Sequence, residues 1–146
     1  MPSSSPVSLY TSWSMTPRGK AARAASPADA RAYLLKAQTW LGAAQDALTA
    51  KRWDVAAGSA VTAGINACDA LAAALLGERP QGEHHDATTL LSQAGARGKA
   101  AASQLAQLLR YKTPAQYDPT PTPQAKARKA VDLAERLVRR AAMLLE

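Results

Sequence analysis

Residues 53–76 read WDVAAGSAVTAGINACDALAAALL, a proline-free run whose charged side chains are Asp54 and Asp69 alone. On a helix of 3.6 residues per turn this run has three faces. Val61, Ile65, Cys68, Ala72 and Leu75 form an apolar stripe at alternating steps of four and three. Ala57, Ala60, Gly64 and Ala67 form a second stripe of very small side chains, and Ser59, Thr62, Asn66 and Asp69 form a polar row beside the first. A helix nearly uncharged all round belongs between neighbours. A polar row inside it needs partners, because buried polar groups must be hydrogen-bonded. The rest of the chain therefore has to supply helices that cover this one.

Composition agrees with that demand. The chain has 146 residues, enough for one domain with its own core. Alanine, the best helix former, dominates, and phenylalanine is absent. The expected fold is all-α, an up-and-down antiparallel bundle of four to five helices. Alanine-rich helices bury little apolar area, so a second copy would add burial, and a homodimer is expected. The net charge of +7, from 18 Lys and Arg against 11 Asp and Glu, suits acidic partners including RNA, or equally a solvated basic surface. Cys68 stands alone, which excludes an internal disulfide and a cysteine zinc cluster. No uninterrupted apolar run of membrane-span length occurs, and the N-terminus has no apolar secretory core, so no membrane partner and a cytoplasmic location are expected.

Taken in order, residues 1–26 are rich in Ser and Pro and carry Arg18, Lys20 and Arg23 without an acid, the composition of a disordered basic tail. The helical bundle is assigned to residues 27–146. Ser26-Pro27-Ala28-Asp29 is a helix start: a capping serine, a proline in the first turn and an acid at the positive end of the dipole. The first helix runs to about Ala50 with Leu34, Ala37, Leu41, Ala44 and Leu48 inward, widened by Tyr33 and Trp40. Lys51 and Arg52 make a connection short enough to force an antiparallel neighbour. Gly77 caps the central helix and the following GERPQGEHHD reads as a loop. Asp86 caps a third helix over 87–94, and Gly95 and Gly98 break the chain. A fourth helix covers about 99–112 with Ala101, Leu105, Leu108 and Leu109 inward, and Pro114 stops it. Thr122-Pro123 opens the last helix, whose inner face is Ala130, Leu133, Leu137, Ala141 and Leu144 and whose outer face is the most basic in the chain.

Chemistry has few places to reside. There is no phosphate loop, His-Glu zinc helix or serine-hydrolase elbow, and neither a cofactor nor a metal is expected. His84 and His85 are the only histidines; a loop pair without a second cluster is a poor metal site, though either could serve as a general acid or base. The segment LLRYKTPAQYDP, residues 108–119, places Arg110 and Lys112 at a helix C-terminus between Tyr111 and Tyr117. Cations beside aromatic rings can hold a phosphate and a base; cations at a helix end also cap carbonyls, and Tyr117 can simply pack.

The central A-x-x-A-V-x-A-x-I-N-A-x-D-A-L pattern (57–71) followed by K-T-P-A-Q-Y-D-P (112–119) resembles the HEPN superfamily of small helical bundles, across residues 27–146. The resemblance implies a bundle that often dimerises, in a group rich in RNA-cutting toxins and RNA-associated proteins. It also implies an Arg-x(4–6)-His motif in catalytic members. Here Arg110 is followed by Tyr111, and the histidine position is matched by Tyr117; a register from Lys112 ends on the same tyrosine. Phenols titrate near 10 and make poor general bases at neutral pH. Three readings follow. One is a non-catalytic module binding RNA or an acidic protein, in a toxin–antitoxin or defence-type system. The second is a metal-independent ribonuclease toxin using Arg110 or Lys112, Tyr117 and a base from His84 or His85. The third is a structural, antitoxin-like interaction module. In the first, the binding residues are Asn66, Asp69, Arg110, Tyr111, Lys112 and Tyr117, with Asn66 and Asp69 facing the 110–117 segment.

Overall fold

The protein is described by a computed structural model over residues 22–80 and 84–146, with the backbone alone at 84–86. The first helix, α1 (Pro27–Thr49), begins as its sequence dictates. Ser26 Oγ accepts from the Asp29 backbone N–H at 3.0 Å and Asp29 accepts from the Ser26 N–H at 2.9 Å. This reciprocal box satisfies two N–H groups that a helix end leaves unpaired. The turn into α2 (Trp53–Leu76) is tight enough to hold Lys51 at φ 62°, a left-handed conformation that a side chain disfavours.

Helix α2 is the axle of the fold. It is long and apolar enough to cross a membrane by length and composition, and in this bundle it is instead packed against α1, α4 (Gly95–Leu109) and α6 (Gln124–Leu145). Its small-residue stripe makes this possible. A Cβ placed on Gly64 would lie 2.2 Å from Leu108 Cδ2 of α4 and 3.3 Å from Leu137 Cδ1 of α6. Two leucines from different helices therefore meet over one glycine. Ala57, Ala60, Val61, Ala67 and Cys68 are fully buried around them. Thr122 reaches Asp54, Leu137 reaches Gly64 and Leu144 shares a cleft with Leu71, so α6 runs parallel to α2. Gln45 Nε2 donates to Glu135 at 2.8 Å and Arg140 Nε to Gln104 at 2.9 Å, pairings that set α1 and α4 antiparallel to α6. The all-α, up-and-down bundle is thus the fold, carried among the described residues by four helices of 15 residues or more and two short ones.

Three local expectations are corrected. First, GERP is not a loop: Glu78–Pro80 (β2) pairs antiparallel with Ala22–Ala24 (β1), with Arg23 opposite Arg79. Residues 22–26, assigned to the tail, thus include a strand; the rest of that tail, residues 1–21, lies outside the described part. Second, α3 (His84–Leu91) starts before Asp86, which is inside the helix rather than its cap. Third, Gly98 lies within α4 instead of breaking it, because a Cβ there would sit 2.1 Å from the Leu91 carbonyl oxygen. Glycine is needed for the α3–α4 crossing. Trp40, expected on the core face, is 40% exposed.

Candidate functional site

Helix α4 tightens at its end, where the Arg110 and Tyr111 N–H groups donate to Gln107 and Leu108. The chain then enters a short helix, α5 (Lys112–Tyr117). Pro114 falls in the first turn of α5, where a missing N–H has no helical partner to lose, so it redirects the chain without stopping it. The linker after α5 is held by two devices. Asp118 Oδ1 accepts from the Thr120 N–H at 3.0 Å. Asp54 Oδ1, in the first turn of α2, accepts from the Thr122 N–H at 2.9 Å and from its hydroxyl at 2.5 Å. Thr122 is buried, and its side chain faces Asp54 rather than capping α6, whose start at Pro123 has no side-chain cap.

These constraints shape a groove of about 370 Å³ lined by Arg110, Tyr111, Pro114, Asp118, the 120–123 linker and Lys126. That volume lies within the roughly 300–1,000 Å³ common for ligand sites. Two cations from different helices meet one acid, Tyr111 packs against the core beside them, and prolines stiffen the rim. Lys126 was not among the sequence candidates. Its signal was present: a basic residue in the first turn of α6, where the dipole favours an anion and no acid is found.

Of the sequence candidates, Arg110 and Tyr111 share this groove. Lys112 is half-buried at the start of α5, and Tyr117 is 72% exposed; neither lines the groove. The polar row of α2 divides. Ser59 and Thr62 face α5, forming with Trp40, Val55, Ala115 and Gln116 a shallow depression on its other side. Thr62 and Asn66 satisfy themselves by donating to the carbonyls of Gly58 and Thr62, one turn back. Asp69 does not meet Arg110 or Lys112. Burial pushes its carboxyl up to about 7, and the cation that opposes this shift is Arg79 on β2, which also stacks over Tyr33 at 5.8 Å. The reason is axial distance. Arg110 ends a helix that crosses α2 at Gly64, whereas Asp69 lies more than a turn further along, beside the strands.

His84 and His85 open α3, which touches β2; their side chains lie outside the described residues. Their backbone is therefore at the end of α2 away from α5, separated from Arg110 by about a 15-residue helix, on the order of 20 Å. Among the described residues no group of three His, Cys, Asp or Glu side chains gathers. Cys68 is buried, and that burial pushes its thiol far up.

The site is thus an arginine at the end of α4 in an alanine-rich bundle, followed by a tyrosine-bearing short helix and a proline-stiffened return. The HEPN domain model matches residues 30–144, and the chain belongs to that family. No curated protein matches it.

Proposed function

We propose that this HEPN-domain protein binds RNA without cutting it, through the Arg110–Lys126 groove. The observation that carries the reading is the convergence of two cations and Tyr111 in one pocket, at the place where catalytic relatives are expected to carry Arg and His. Two cations at a stiff wall can grip adjacent phosphates, and an aromatic beside them can take a base. Among the described residues no histidine lines the groove, and its one acid, Asp118, is engaged by the Thr120 N–H, which supports the non-catalytic half. Tyr117 stands where the histidine would, and His84 and His85 open a helix at the other end of α2. Pairing of two copies, a cytoplasmic setting and a place in a toxin–antitoxin or defence-type system belong to the same proposal. The exposed Trp40 and Val55 offer apolar surface for pairing.

The test is to incubate the full chain with single-stranded and hairpin RNAs and follow both retention and strand length. The expected result is a salt-sensitive complex with the RNA intact. Strand cleavage lost in Arg110→Ala would instead establish the ribonuclease reading. No retention at low salt, with an acidic protein retained on the same column, would move the groove to a protein partner.

A further inference from the structure

At the end of the bundle away from Arg110, a second cleft of about 230 Å³ opens between α2, α4 and α6. Its lining is Leu71, Met143 and Leu144 with two arginines, Arg97 and Arg140. Leu71 is buried and forms the floor, Leu144 is half-buried, and Met143 is 79% exposed at the rim.

The two arginines are not used up within the protein. Arg140 is half-buried, and its Nε donates to Gln104 Oε1 at 2.9 Å. That bond uses one of its five N–H donors, and among the described residues no carboxylate forms an ion pair with the others. Arg97 lies in the first turn of α4, which holds no acid and no side-chain cap. Arg97 is exposed, but Arg140 is partly desolvated without a counter-charge, at a cost that an incoming carboxylate would offset. The planar fork of arginine takes a carboxylate through two parallel N–H bonds, as it does a phosphate, and the lower charge of the carboxylate suits the apolar lining.

We infer that this cleft binds an aliphatic monocarboxylate, its head on Arg140 and Arg97 and its tail on Leu71 and Leu144. An engineered apolar cavity of about 150 Å³ holds benzene, so a tail on the order of eight carbons matches the space here. A basic peptide is the wrong occupant, and that includes residues 1–21, which carry Arg18 and Lys20 and no acid. The site is separate from the RNA groove, since Arg97 and Arg110 mark opposite ends of α4, roughly 20 Å apart.

The probes are octanoate and 1-octanol, titrated calorimetrically into the full chain below the micellar range. Octanoate should saturate one site, and the uncharged alcohol should bind at least about tenfold more weakly, the ratio expected from losing a charge-assisted contact. Arg140→Gln and the exposed-site variant Arg97→Gln should each weaken octanoate about tenfold, while Arg31→Gln on α1 leaves it unchanged; melting curves confirm that each variant is folded. Octanoate that never saturates, an alcohol that binds equally well, or Arg97→Gln and Arg140→Gln binding like the parent would each overturn the assignment.

Discussion

Replacing Asp69 by asparagine should stabilise the protein at neutral pH, and the gain should grow as the pH rises. Asp69 is largely buried on α2, facing Tyr33 of α1 and Arg79 of β2, and burial pushes its carboxyl up from 3.8 to about 7 against the pull of Arg79. The sign follows from proton binding. Between those two values the folded chain holds a proton that the unfolded chain has released, so folding loses stability as the pH rises through this window. Above about 7 both states are ionised and the loss is complete. Integration gives a cost of roughly 2 kcal/mol at pH 5 and about 4 kcal/mol at pH 8. Asparagine carries no charge to bury at either pH. Asp69→Asn should therefore gain about 2 kcal/mol more at pH 8 than at pH 5, near 8 °C in melting temperature for a chain of this size. Paired urea or thermal denaturation of the two proteins at both pH values measures this. A difference between variant and parent that does not change with pH would refute the picture of a carboxyl held neutral by burial.

Four further outcomes follow from the packing. Gly98→Ala places a methyl 2.1 Å from a backbone carbonyl that cannot turn away, and should cost about 2 kcal/mol or more by chemical denaturation despite better helix propensity. Gly58→Ala on α2 meets nothing closer than Gln116 at 3.8 Å and should instead gain up to about 1 kcal/mol. Asp54→Ala removes the acceptor for both Thr122 donors and leaves them buried, a loss of about 1–3 kcal/mol by denaturation that should also weaken RNA retention by loosening the groove wall. Cys68 should resist alkylation in the folded protein and react on unfolding, because its thiol is buried and held protonated; labelling at the native rate of a free thiol would contradict its burial.

What the sequence disclosed and what it hid divide along one line: whether the deciding partner was near in the chain. The Ser26–Asp29 box and the Gly77 cap are made by neighbours, and both were legible. So were the stripes of α2, α4 and α6, since period alone places Leu105, Leu108, Leu133 and Leu137 inward. Thr122 looked like a cap because nothing local names Asp54, 68 positions earlier in the chain, as its partner. Gly98 looked like a breaker because the Leu91 carbonyl it accommodates comes from another helix. Asp69 was matched to the wrong cations because GERP lacks strand character until Ala22–Ala24 pairs with it and brings Arg79 over Tyr33. Half of the candidate site, Arg110 and Tyr111, could be named from the segment that resembles the family; Lys126 is one of several cations along an exposed helix face, and only its first-turn position set it apart.

The central claim is that Arg110 and Lys126 hold RNA phosphates in a groove that does no cutting. It is tested most directly by the salt dependence of single-stranded RNA binding in the parent and in Arg110→Ala/Lys126→Ala. Each phosphate contact contributes a slope of about 0.7 in a plot of log affinity against log salt. The double variant should therefore lose about 1.4 from that slope, with the RNA recovered at full length from both proteins. An unchanged slope and affinity would place the RNA elsewhere on the molecule, and shortened RNA from the parent alone would make the groove a catalytic one.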